Sequence, residues 1–392
     1  MTKAETNFLS FVQKHIIIIG FIAVSVMGLL LRIALYDVVT MDYGYFMKAW
    51  IDQLKEAGGM RGLGENIGEY NVPYMLFLAI VGQTPLNDLH EIKSLSVIFD
   101  FVMAFAAIKL ISHIRSTKMF TVENLLVYAA LLICPVFFLN SAAWSQCDSI
   151  YVSTLIFCIY YLIQEKYIPS MVFFGIAFSL KLQAVFILPV IIIYYFASKK
   201  MSAVNLLLIP AVYFIGILPA LLAGRGLSDT LSIYVNQTSI YKSLTMECPN
   251  IFVFLVGDYD TYSKLGIFLT LTILGIGACL MIYKKRYSSK DIVLLSAWST
   301  MVCIFFLPAM HERYVYIACV MSIIWAFIYH KDWWIALGIN VVCMLSFISY
   351  LYKVVVIDLK YLALANMVLL IFMTIRLFAR NNYDKSEVKA EK

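Results

Sequence analysis

Apolar residues in this chain come in long, nearly unbroken runs separated by short polar stretches, without the alternation of a half-buried strand. Runs of this length read as helices that cross a bilayer, since roughly 20 apolar residues at 1.5 Å each span its hydrocarbon core. The spacing predicts about twelve such spans: 15–35, 93–113, 122–140, 149–164, two short helices within 170–197, 203–222, 264–283, 291–308, 315–329, 333–351 and 360–379. The run 170–197 is too long for one span and ends in Lys199-Lys200, so a break is expected at Lys181-Leu182-Gln183.

The external loop 36–92 departs from this pattern. From Tyr43, the apolar residues Phe46, Met47, Trp50, Ile51 and Leu54 fall three or four apart, with Lys48, Asp52, Gln53, Lys55 and Glu56 between them. That periodicity predicts an amphipathic helix on the membrane surface, starting at Asp42 and stopped by Gly58-Gly59. The apolar segment 72–82 is too short to cross and reads as a second interfacial or re-entrant element. Assigned so, it leaves Arg115 and Lys118 in the cytoplasm, as positive-inside bias requires, together with Lys284-Lys285-Arg286 and both chain ends. The tail 381–392 reads as solvated or lipid-touching.

Composition closes off the soluble classes. With 62% hydrophobic residues, 14% charged and a mean hydropathy of +0.85, a water-facing surface could not be covered. The expectation is an all-α polytopic membrane protein in one domain, 1–392, without internal repeats. The first run lacks a cleavage site and reads as a signal anchor. The formal charge of +6 is carried by Lys and Arg flanking apolar runs, so it speaks for topology and lipid headgroups and not for nucleic acid. No C-x-x-C pair occurs, which argues against a metal cluster; only Cys147 and Cys248 could meet outside the membrane.

On this topology Asp42, Gln146, Asp148, Lys181, Asn250, His311, Glu312 and Arg313 all fall on the external side or at external span ends. Ionisable groups beside apolar spans are costly, so a one-sided cluster reads as a site. Structural alternatives stand beside each: Asp42 and Asp148 as helix caps, Lys181 snorkelling from a helix end, Glu312 and Arg313 as a local ion pair, Trp144 as an interfacial belt residue. Asp100 lies within the second span and requires a partner, with Lys93, Arg32 and Lys181 as the candidates.

At these residues the chain resembles the GT-C superfamily of polyprenyl-phosphate-sugar-dependent glycosyltransferases, and within it the bacterial relatives of the PIG-V mannosyltransferase of GPI-anchor assembly. The resemblance rests on Asp42 at the head of the first external loop, Trp144-x-Gln146-x-Asp148, Lys181-x-Gln183 and His311-Glu312-Arg313-Tyr314, and it spans nearly the whole chain. Two positions depart from the pattern: Ser145 stands where such motifs usually carry Gly, and Pro73 stands alone where two prolines are usual.

The resemblance implies a GT-C fold with an external active site and inverting transfer of a hexose, mannose-like, from a polyprenyl-phosphate donor to a glycan or lipid-linked acceptor. Asp42 would take the acceptor proton as general base. Lys181, Arg313 and His311 would meet the departing phosphate, and Trp144, Gln146, Asp148, Gln183, Asn250, Glu312 and Tyr314 would bind substrate. No cofactor is assigned; a divalent ion at Gln146 and Asp148 is the lesser alternative. The rival readings are a secondary transporter, with the break at Lys181 as a discontinuous binding helix, and a flippase or scaffold for lipid-linked glycans.

Overall fold

The computed structural model describes residues 1–378; the tail expected at 381–392 and the last residue of the span expected at 360–379 lie outside the described residues. The helices in chain order are α1 (Lys3–Ile33), α2 (Lys48–Glu56), α3 (Val72–Val81), α4 (Asp88–Arg115), α5 (Val122–Ile133), α6 (Pro135–Phe138), α7 (Asp148–Ile163), α8 (Tyr167–Leu180), α9 (Leu188–Ser198) and α10 (Leu208–Leu222). They continue with α11 (Leu227–Leu231), α12 (Ile233–Ile240), α13 (Tyr259–Tyr283), α14 (Ser289–Phe306), α15 (Tyr316–Ile328), α16 (Trp333–Tyr352) and α17 (Leu359–Phe378). Among the described residues the strands are β1 (Thr245–Met246) and β2 (Met310–His311), paired in parallel.

This is an all-α, multi-pass membrane protein. Among the described residues seven helices are long and apolar enough to cross a bilayer, or eight if the bent pair Val122–Ile133 and Pro135–Ala143 counts as one span. Other segments read as spans form shorter helices: α7, α8 and the stretch Leu182–Ser198. At about 1.5 Å per residue, the 16 residues of α7 reach roughly 24 Å, short of a full hydrocarbon core. The segment 72–82 forms a helix of 10 residues, as its length requires.

Two compact units make up the chain. The first comprises Met1–Val185, Met201–Tyr241 and Phe327–His330. In it α4 packs on α5 and α7, α7 on α8, and α8 on α10, with α1 against α5. The α8–α10 contact closes at Gly175, where an added Cβ would lie 2.7 Å from Val212 Cβ, so only glycine permits this approach. Arg32 and Asp100, both fully buried, meet at 2.7 Å, and Arg32 also donates to the Gly28 and Leu132 carbonyls. Ser141 Oγ donates to the same Asp100 oxygen. Of the three candidate partners for Asp100, the structure selects Arg32, and a buried carboxylate matched in this way is a structural pair.

The segment after α1 is fixed from α4. Lys93 Nζ donates to the carbonyls of Leu35, Tyr36 and Val38 at 2.8, 2.9 and 2.7 Å. An ammonium has three donors, so this lysine is fully occupied by the backbone that leads to Asp42.

The amphipathic helix is present, with a different use for its apolar face. A π-helical turn, Tyr43–Met47, precedes α2, and Met47, Ile51 and Leu54 are buried in one cluster with Leu78, Ala79 and Val81 of α3. The stripe thus packs on protein, each such side chain contributing about 1.5–3 kcal/mol. The basic residues expected between the apolar ones reach Asp88 at the head of α4, Lys48 at 3.3 Å and Lys55 at 3.2 Å. The stop falls as expected: Gly58 and Gly59 take φ of 86° and 71°, in the left-handed region.

The second unit comprises Phe186–Lys200, Lys242–Ala326 and Lys331 onward. Here α13 packs on α9 and α14, and α17 on α14 and α16. Trp298 Nε1 donates to Thr374 Oγ1 at 2.9 Å, and buried Asp332 is held by Arg376 at 2.9 Å and Trp325 Nε1 at 3.2 Å. None of the eight cysteines, Cys147 and Cys248 included, is in a disulfide.

Candidate functional site

In the first unit, three segments distant in sequence meet at Asp42. The chain leaves α1, is held by Lys93, and turns into the π-helix with Asp42 in right-handed backbone and its side chain making no capping bond. Instead Asp42 Oδ2 accepts from Trp144 Nε1 at 2.9 Å and Gln146 Nε2 at 3.0 Å. The cap alternative therefore does not describe this carboxylate, which is buried and oriented by two N–H donors. The other external acid of this stretch, Asp37, is 96% exposed and pairs with His90 at 2.9 Å.

The donors come from a distorted turn. A second π-helix, Leu139–Ala143, runs into Trp144, and Ser145 then takes φ of 63°, where L residues are disfavoured. That reversal lets Trp144 and Gln146, two apart, both turn to the same oxygen. Helices with π turns recur at functional sites because they rotate side chains out of the regular register. Trp144 is fully buried, so it serves Asp42 and is not an interfacial belt residue. Gln146 is used at both ends of its amide, since Tyr70 Oη donates to its Oε1 at 3.2 Å.

Asp148 and Lys181 form a second, adjoining group. Asp148 opens α7 but its carboxylate is not spent on capping: Oδ1 pairs with Lys181 Nζ and Oδ2 accepts from Asn140 Nδ2 at 2.9 Å. Both partners are buried, with side-chain exposures of 4% for Lys181 and 0% for Asp148, so Lys181 does not snorkel. The break expected there is real: α8 stops at Leu180, Lys181 is extended, and a 3-10 turn, Leu182–Ile187, follows. Lys181 Nζ also lies over the rings of Tyr151 and Tyr70, at 5.6 and 6.0 Å from their centres. Gln183 is 5% exposed, and its Oε1 has no hydrogen-bond partner. The same holds for buried polar atoms of Asn71, Tyr74, Asn140 and Ser145, all on segments that carry the site. Such atoms cost stability unless a bound group or water answers them.

Trp144, Gln146 and Asp148, expected to bind substrate, thus hold Asp42 and Lys181 in place. Gln146 is engaged by Asp42 and Tyr70, and Asp148 by Lys181 and Asn140. Among the described residues no cluster of three or more His, Cys, Asp or Glu is placed to hold a metal.

The remaining candidates belong to the second unit. His311 ends β2, whose register pairs Met246 with His311, and Ala309 before it takes φ of 56° while its N–H reaches the Ser243 carbonyl at 3.0 Å. Glu312 is 1% exposed, and neither carboxylate oxygen has a hydrogen bond. His311 Nδ1 and Arg313 Nη1 stand 3.8 Å from its two oxygens, so the pairs are electrostatic and loose. The Tyr314 ring packs against His311 at 5.2 Å. Asn250 is fully buried and caps the turn Ile251–Phe254 through Oδ1, at 3.1 Å from Phe252 N, while its Nδ2 has no partner.

Residues that sequence reasoning passed over are Tyr70 and Asn140, and Lys93, weighed only as a partner for Asp100, instead holds the backbone that leads to Asp42. Asn140 lies in the same polar stretch as Trp144 and Asp148; Tyr70 gave no signal beyond its place before Asn71-Val72-Pro73. No protein-family model matches the chain, and no curated protein matches it either.

Proposed function

We propose that this chain is an integral-membrane glycosyltransferase of the GT-C type, with about twelve spans. It transfers a mannose-like hexose from a polyprenyl-phosphate donor to a glycan or lipid-linked acceptor on the non-cytoplasmic face. The observation that carries the reading is a buried carboxylate, Asp42, held by two N–H donors from the Trp144-x-Gln146 motif, with a buried cation, Lys181, anchored by the next residue of that motif. An acceptor hydroxyl becomes a competent nucleophile when an oriented carboxylate takes its proton as the new bond forms. The leaving group is a phosphate, so the site needs cations and not the acid of a glycosidase. Lys181, held by Asp148, is such a cation. The departure at Ser145 also supports the resemblance: its left-handed backbone is what a glycine in that motif position provides.

The test is transfer from a synthetic polyprenyl-phosphate sugar by purified protein. Asp42→Asn should retain the fold and lose activity by about 10²–10⁴-fold, the usual cost of a missing general base. Near-parental turnover would overturn the assignment. A second reading, a carrier, draws on the extended break at Lys181, since discontinuous helices build transporter sites. A carrier would keep most of its flux in Asp42→Asn.

A further inference from the structure

A row of aromatic rings leads from the rim of the first unit to the Asp42 network. Phe46 and Trp50 centres are 5.9 Å apart, Trp50 and Tyr70 5.6 Å, Tyr70 and Tyr74 4.9 Å, and Tyr74 and Phe77 5.8 Å. The row is graded in exposure: Phe46 is 40% exposed, Trp50 and Tyr70 are half-buried, and Tyr74 is buried. Its middle member touches the chemistry, because Tyr70 Oη donates to Gln146 Oε1 and Gln146 Nε2 donates to Asp42.

The geometry points to a pyranose-binding platform at Trp50: its ring is the stacking face for the axial C–H face of the sugar acceptor, and Phe46 and Tyr70, inclined to it at 50° and 81°, wall the subsite and direct a hydroxyl to Asp42. This rests on the transferase reading for its catalytic half; the binding half stands independently. Aromatic faces carry partial negative charge and ring C–H groups of a sugar partial positive charge, so the two stack while hydroxyls at the sugar's edge keep their polar partners. The row is built and not merely apolar. Gly68, at φ of 72°, lies against both Met75 and Trp50, where an added Cβ would come within 2.6 Å of Met75 Cε and 3.1 Å of Trp50 Cδ2, so a side chain there would displace the indole. A headgroup-level belt would need rings turned outward; here Tyr70 turns inward to Gln146.

Purified full-length protein is titrated with soluble manno-oligosaccharides by calorimetry, beside acceptor and donor KM in the transfer assay. Trp50→Ala should weaken saccharide binding and raise acceptor KM by about tenfold with donor KM unchanged, whereas Trp50→Phe should stay within about threefold of parent, the range set by losing or keeping one aromatic contact. Trp50→Phe retains the packing, which separates loss of stacking from loss of fold. Saccharide binding that depends on Trp50 in a protein without transfer would sustain the platform and defeat the transferase reading. No saccharide binding by the parent protein would overturn the platform, and so would a Trp50→Ala effect confined to donor KM. In protein reconstituted into vesicles, quenching by brominated lipid of the fluorescence that Trp50→Phe removes, with saccharide binding unchanged in Trp50→Ala, would reassign the row to the lipid interface.

Discussion

Removing one partner of the Asp148–Lys181 pair should cost far more than removing both. Each side chain is buried, at 0% and 4% exposure, so Asp148→Leu strands an ammonium and Lys181→Met strands a carboxylate in an apolar surround. A broken buried pair typically costs about 3–5 kcal/mol, whereas an apolar pair of similar volume is often neutral. The double variant Asp148→Leu with Lys181→Met also takes an acceptor from Asn140, whose bond at 2.9 Å is then lost, at about 1–3 kcal/mol. Singles at 3–5 kcal/mol sum to about 6–10, against about 1–3 for the double, so the two sites should be strongly non-additive. The assay is the midpoint of thermal inactivation of the detergent-purified protein, by retention of the monodisperse peak, for parent, both singles and the double. The double should melt above either single and yet show no sugar transfer, because the proposed mechanism assigns Lys181 to the donor phosphate. Additive losses would refute the pair as a structural unit. A stable and fully active double would refute its role at the phosphate.

Ser145→Gly should stabilise by about 0.5–1 kcal/mol, because it relieves an L residue at φ of 63° and loses only part of that gain to backbone entropy; a raised melting midpoint with transfer intact is the check. Trp144→Phe keeps the ring bulk but deletes the N–H on Asp42, and turnover should fall about ten- to a hundredfold at unchanged KM, the size of one charge-assisted bond; a change in KM alone would count against it. Burial lifts Glu69 above the ordinary carboxylate range, with the Tyr241 hydroxyl pulling only partly the other way. The folded chain therefore holds a proton that the unfolded chain releases, and stability falls as pH rises from the ordinary value of about 4.3 through the raised one. Glu69→Gln should accordingly raise the melting midpoint at neutral pH and give no gain below about pH 4, measured by thermal scans across pH.

Local pattern carried much of this architecture and little of its wiring. Three-and-four spacing located the helix that stops before Gly58-Gly59, and excess length located the break at Lys181, because both are properties of adjacent residues. The Asp100 partner was confined to three cations by the cost of a buried charge, and the choice of Arg32 came from packing 68 residues away. Nothing local tells that Trp144 and Gln146 turn toward Asp42, 102 and 104 residues distant. The π turns before Lys48 and Trp144 and the left-handed Ser145 make that possible, and no propensity of the residues that form them announces them. Span count fared unevenly because hydropathy registers apolar character, while α7 and α8 are apolar without being long.

The two attachments between α1 and α4 carry a mechanical consequence. Arg32 is pinned at Asp100, and Lys93 is pinned to the carbonyls just past Ile33; the two anchor points on α4 are seven residues apart, about 10 Å along its axis. One pin would allow pivoting about itself, but two at that separation resist both swivel and slide. A one-turn ratchet of about 5.4 Å, the step by which packed helices commonly shift, would tear both at once. The first helix and the loop that starts from it thus move as one body with α4, and a working cycle for this molecule has to find its moving part somewhere else.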